Sequence, residues 1–172
     1  VGSGTTLDYI EVFANKDDGI EFFGGTVNLT HALVTDCNDD SFDWDQGYSG
    51  MGQYWCTIQD ANSDKGFECD GGEGDLTPNS VPTVANFTLI GNGSSTAIHF
   101  KKATGGKLYN GIIKGFGDGV FLEAITDADV SFNAIKIDGG TNAMFDANGA
   151  ITSSSTYTIS DVAKETTSSI SG

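Results

Sequence analysis

The chain has 172 residues, 24 of them acidic and only eight basic, and a formal charge of −16. That length makes one domain with enough chain for a core. The charge argues against nucleic acid or an anionic membrane as partner, because both need a positive face. No run of about 18 apolar residues is present that would cross a membrane as a helix. The acidity fits a cation-binding surface, a salty environment or plain solubility.

Glycine is abundant at 24, proline rare at 2, and β-branched and aromatic residues sit in short alternating runs. This pattern predicts many short strands separated by turns. In chain order the first rung reads Tyr9–Ala14 then Gly19–Phe22, the second His31–Thr35 then Ser41–Trp44, and the third Tyr54–Ile58 then Gly66–Cys69. The fourth reads Ala85–Ile90 then Ala97–Phe100, the fifth Tyr109–Ile113 then Gly119–Leu122, and the sixth Asn133–Ile137 then Ala143–Asp146. The repeat of about 22 to 25 residues is that of a solenoid. Strand alternation turns Ile20, Phe42, Phe67, Ile98, Val120 and Met144 to one face, joined by Phe22, Trp44, Cys69, Phe100 and Leu122. A repeat this short buries its apolar face only by stacking, which makes a parallel β-solenoid core.

Asn15, Asn38, Asn62 and Asn92 fall at the corners, where stacked amides can bond from rung to rung. With these corners in place the chain resembles a right-handed parallel β-helix of the pectin-lyase-like superfamily over about residues 7 to 149. That resemblance implies an all-β fold of about six to seven rungs with an Asn ladder. A narrower likeness is carried by Gly24-Gly25-Thr26-Val27-Asn28, Asp39-Asp40-Ser41-Phe42-Asp43-Trp44 and Gln53-Tyr54. These stretches are similar to secreted bacterial β-helix proteins without an assigned activity, some of them named as lipoproteins or multidrug transporters. The resemblance implies an extracellular, cell-surface or periplasmic protein. The organisation expected is a β-helix over 1–150 and a terminal strand or Ser/Thr-rich linker over 151–172. A short helix is suggested at Ser160–Glu165. Two departures from the period, Gly47–Gly52 and Gly71–Pro82, are expected as neighbouring loops of the kind that often carry function. The opening at Val1 reads as a piece of a longer protein and admits end-to-end self-association.

The outward positions of the second strands carry the chemistry. One column reads Glu21, Asp43, Glu68, His99, Phe121, Phe145; the next reads Phe23, Asp45, Asp70, Lys101, Glu123, Ala147. Rungs stack about 4.8 Å apart, so Asp43, Asp45, Glu68 and Asp70 are expected to form a carboxylate patch. Their mutual repulsion needs an offset, and calcium, which takes several carboxylate and carbonyl oxygens, is the expected metal, with Glu73 and Asp75 within reach. The alternatives are a solvated acidic face and a catalytic carboxylate pair. For catalysis the candidates are Asp39, Asp40, Asp43 and Glu68, with His99 assisting. Asp39-Asp40 is similar to the paired aspartates of polygalacturonase-like hydrolases, but their Asn-Thr-Asp, Gly-His-Gly and Arg-Ile-Lys motifs are absent. The chain also has no arginine for lyase chemistry. Tyr48, Tyr54 and Trp55, with Lys101, are candidates to hold an extracellular polysaccharide or a cell-surface component. The same aromatics are equally suited to plug the solenoid interior. Cys56 and Cys69 are expected inside the third rung, where a disulfide is geometrically conceivable, and Cys37 is expected free.

Overall fold

A computed structural model describes residues 1–71, 78–125 and 129–151, and the backbone of 162–165. The chain alternates between two sheets. The odd-numbered strands up to β11 are β1 (Thr6–Phe13), β3 (Asn28–Thr35), β5 (Met51–Ile58), β7 (Thr83–Ile90), β9 (Gly106–Lys114) and β11 (Val130–Asp138). They stack in that order, with β14 (Val162–Glu165) beyond β11, as sheet A. The even-numbered strands are β2 (Ile20–Phe23), β4 (Phe42–Asp45), β6 (Phe67–Cys69), β8 (Thr96–Phe100), β10 (Asp118–Leu122) and β12 (Met144–Asp146). They form sheet B, closed past β12 by β13 (Gly149–Ala150). Every ladder is parallel except β12 to β13. The protein is an all-β parallel solenoid of about six turns, as the repeat predicted.

The register reproduces the columns read from the sequence. Ile20, Phe42, Phe67, Ile98, Val120 and Met144 stand directly opposite one another from strand to strand. Phe42, Phe67, Ile98 and Val120 are fully buried, as are Trp44, Cys69 and Phe100. In the first rung the same interior positions are less covered, with Leu7, Ile10, Val12 and Ile20 half-buried.

Sheet A departs from the two-strand rung. Tyr9, His31, Tyr54, Asn86, Asn110 and Ala134 all have φ between 50° and 59°. Each left-handed residue bends its strand, so a turn of the solenoid has three limbs and not two. Side-chain alternation slips by one at the bend, and the buried positions read Leu29, Ala32, Val34 in one rung and Gly52, Trp55, Thr57 in the next. This slip corrects the third rung. Trp55 points inward, and Cys56 is half-exposed beside it. All three cysteines are free.

Three further expectations change. Met51 and Gly52 belong to β5, so Gly47–Gly52 is a regular turn and not an insertion. The chain over Val162–Glu165 is a strand paired to β11 and not a helix; four residues gain more from an open sheet edge than from a single helical turn. The amide pair that links rungs is Asn110 Nδ2 donating to Asn86 Oδ1, 2.6 Å, at the left-handed bend. Of the expected corner amides Asn92 bonds across rungs, to a carbonyl and not to another amide, while Asn15 and Asn62 bond within their own turns. Asn15 donates to the Asp18 carbonyl, Asn92 to the Ser63 carbonyl of the rung before, and Asn62 to the Asp60 carboxylate. Asn tolerates the left-handed region, so a bend of that conformation is where an Asn pair suits best. The expected second loop lies largely outside the described residues, as do Glu73 and Asp75.

Candidate functional site

The outer face of sheet B is a single file of chemistry. Glu21, Asp43, Glu68, His99, Phe121 and Phe145 lie in register along it. Short strands with no inserted residue hold the file straight, because the inward Phe42, Phe67, Ile98 and Val120 lock the pleat beneath it. One end is acidic and the other aromatic. Phe121 stacks on Phe145 at 4.7 Å and on the His99 ring at 4.9 Å.

At the acidic end Asp43 is the central residue. It is only 8 % exposed. Its Oδ1 is buried without a hydrogen-bond partner. The corner before β2 supplies Asp18 and β2 supplies Glu21, and oxygens of Asp18, Glu21 and Asp43 all lie within 4.8 Å of one another. Burial, then the charges of Glu68, Asp18, Glu21 and Asp40, push the Asp43 carboxyl up to about 8. Burial also raises Asp18 to about 6, against the hydrogen bond it accepts from the Asp40 amide. Glu21 is raised as well, first by burial and then by the neighbouring acids.

Two more carboxylate groups continue around the corner, Asp17 with Asp18 and Asp39, and Asp39 with Asp40 and Asp64. Asp40 is 3 % exposed, and its Oδ1 accepts from the Lys65 amide at 2.7 Å. Burial and the Glu68 charge raise its carboxyl to about 8. Asp39 is exposed and raised in the same direction.

The four carboxylates expected to share a metal do not form one such group among the described residues. Glu68 turns to Lys101, 2.7 Å away. Asp45 accepts from the Gln46 amide and Asp70 from the Gly71 amide at 2.7 Å, so both fold back onto their own turns. Asp43 instead joins carboxylates from the rung before. Asp18 and Glu21 were missed as its partners. Glu21 was legible as the next residue in the column, whereas Asp18 reaches the site from a corner that alternation does not describe.

His99 pairs with Glu123 at 2.8 Å, and its Nδ1 is buried without a partner. It stands next to Glu68 in the file, but its hydrogen bond goes to Glu123 and the salt bridge of Glu68 goes to Lys101. Asp70, Lys101, Lys102 and Glu123 line a shallow cleft beside this aromatic end.

The tyrosines and tryptophan divide between the two readings made of them. Tyr48 is fully buried, stacks on Phe22 at 4.4 Å and donates its hydroxyl to the Val27 carbonyl. Trp55 is 1 % exposed and donates Nε1 to the Leu29 carbonyl. Both plug the interior and neither can touch a ligand without unfolding. Tyr54 is 48 % exposed, but on sheet A, where it stacks on His31. The aromatics that share a face with the acids are Phe23, Phe121 and Phe145.

An outward file of acids, cations and aromatics on a stacked parallel sheet is the setting in which the family of this chain becomes plain. A family model described as a pectate-lyase like beta helix domain matches residues 1–171. The chain belongs to that family. No curated protein and no solved structure matches this β-helix domain. Membership accounts for the solenoid, and the chemistry of the pectate-lyase-like domain has to be argued from its own sheet B file.

Proposed function

We propose that this β-helix domain is a non-catalytic module that binds an extracellular polysaccharide or a cell-surface component through the outer face of sheet B, with calcium at its acidic end. The observation that carries this reading is the buried, unpartnered Oδ1 of Asp43 within reach of Asp18 and Glu21. A buried carboxylate oxygen without a donor is costly unless a cation meets it. The donors are all carboxylates, which suits a hard, oxygen-seeking ion such as calcium better than zinc. The protein's place would be the cell surface, the periplasm or the medium, where calcium and polysaccharide meet. On that face Phe121 offers a flat apolar surface for sugar C–H groups, and Lys101, His99 and Glu123 offer hydrogen bonds to hydroxyls.

Calorimetric titration with calcium tests the metal, and retardation in polysaccharide-containing gels tests the ligand. Wild-type protein is expected to bind calcium and Asp43→Asn to lose it. Retardation is expected to need calcium and to weaken in Phe121→Ala. Equal calcium heats for wild type and Asp43→Asn would refute the metal site; gel mobility unchanged across a broad polysaccharide panel would refute the ligand.

The second reading is a carbohydrate-active enzyme. It is favoured by Asp43 and Asp40, whose carboxyls rise to about 8 through burial and the nearby acids, as a general acid requires at neutral pH. Release of reducing or unsaturated sugars, lost in Asp43→Asn, would establish it. A third, purely structural role as a segment of a longer stack is supported by the half-covered interior of the first rung; filaments that grow with concentration are its signature.

A further inference from the structure

The outer face of the second limb of sheet A is unlike the rest of this acidic surface. One column of outward side chains runs Glu11, Leu33, Cys56, Thr88, Ile112, Lys136 in register. Beside it runs Phe13, Thr35, Ile58, Ile90, Lys114, Asp138. Phe13, Ile58 and Ile112 are 69 %, 48 % and 43 % exposed, and Leu33, Cys56 and Ile90 are half-exposed between them. A contiguous apolar patch rimmed by charge marks a contact surface.

Charge says what covers it. The first column begins with an acid and ends with a lysine. The chain as a whole has the same polarity: sixteen of its 24 acidic residues and only two of its eight lysines precede residue 101. A second copy lying face to face with its solenoid axis reversed avoids setting acid on acid: the acidic half of each meets the half that carries six lysines against eight acids, and Glu11 at one end of the column meets Lys136 at the other. We propose that this face joins two copies of the chain in a two-fold dimer with antiparallel axes.

The two-fold runs parallel to the strands, between the third and fourth rungs. Such an axis brings each column onto its own copy in reverse order. Glu11 then faces Lys136 of the partner subunit, Leu33 faces Ile112 of the partner subunit, and Ile58 faces Ile90 of the partner subunit. Cys56 likewise faces Thr88 of the partner subunit, Thr35 faces Lys114 of the partner subunit and Phe13 faces Asp138 of the partner subunit, so an apolar centre is ringed by polar and charged groups, the usual anatomy of a specific interface. Sheets packed this way stand about 10 Å apart, which buries the Cys56 thiols at the centre of the interface. The interface uses nothing of the sheet B file, so it stands or falls independently of calcium and sugar.

Sedimentation equilibrium of the full chain at micromolar concentration and low salt is the test. The wild type is expected to be a dimer and Ile58→Glu/Ile112→Glu a monomer, with the far-UV circular dichroism of both the same. Glu11→Lys is expected to weaken the dimer about tenfold, and Glu11→Lys/Lys136→Glu to restore it. Should the double glutamate variant fail to fold, thiol labelling of the wild type decides. Cys56 is expected to react with a maleimide several-fold more slowly at concentrations where the chain is dimeric than on dilution, while Cys37 and Cys69 stay buried throughout. A wild-type monomer at every concentration, a dimer that survives Ile58→Glu/Ile112→Glu, or Cys56 labelling that is the same at every concentration would each overturn the proposal.

Discussion

Asp43 is held where its charge is least welcome, and the consequence is a dependence of stability on pH. Its carboxyl stands at about 8 in the fold against an ordinary 3.8. Between those values the folded chain holds a proton that the unfolded chain has released, so stability falls as pH rises, by at most about 1.4 kcal/mol per pH unit for one such group. Asp40 adds to the same window and Asp18 adds to its lower part, up to about 6. In chelator the melting temperature is therefore expected to fall steadily from pH 5 to pH 8. Asp43→Asn is expected to flatten that fall and to stabilise the metal-free protein at pH 8 by about 1–2 kcal/mol, which thermal melts across pH would read as a few degrees. Calcium at one hundred times its dissociation constant is expected to add about 2.7 kcal/mol to the wild type at pH 8 and nothing to Asp43→Asn. A melting temperature indifferent to pH over this range would mean the carboxylates are solvated.

At the scale of the strand, the governing device is the left-handed bend that recurs through sheet A. It was not legible in the sequence, because Tyr9, His31, Tyr54, Asn86, Asn110 and Ala134 share no residue type. Only the Asn pair among them signals such a conformation. The outward file of sheet B was legible, because those strands are straight and alternation runs through them without a slip. The same rule failed at Cys56, two residues past the bend at Tyr54. Ala134 sits in the left-handed region without the side chain that suits it, directly after Asn110 in the stack. Ala134→Asn is expected to stabilise the fold by about 0.5–1 kcal/mol by relieving the backbone cost and extending the amide ladder; a denaturant midpoint no higher than wild type would count against this account. Gly111 is the opposite case. A Cβ there would lie 2.1 Å from the Phe87 ring. Gly111→Ala is expected to cost about 1–3 kcal/mol by overpacking, and equilibrium denaturation checks it.

For the molecule as a whole, a charge of −16 crowded mostly into the first four rungs makes the fold work against itself at low ionic strength. Raising sodium chloride from about 10 mM to about 200 mM brings the screening length from roughly 30 Å towards 8 Å. The melting temperature is expected to rise over that range even without calcium. The solenoid also determines where a spectroscopic probe looks. Both tryptophans of the chain, Trp44 and Trp55, are fully buried in the second and third rungs, and the later rungs have none. In a stacked fold rungs pack mainly on their neighbours, with Trp44 reaching past the third rung to Phe100 and the Thr104 hydroxyl of the fourth, and unfolding can begin at either end and travel. Tryptophan emission therefore follows the acidic rungs alone, while circular dichroism averages over all of them. If the two traces part company during a melt, the rung that lets go first can be named without a single substitution: emission leading means the carboxylate end frays first, and dichroism leading means that the aromatic end does.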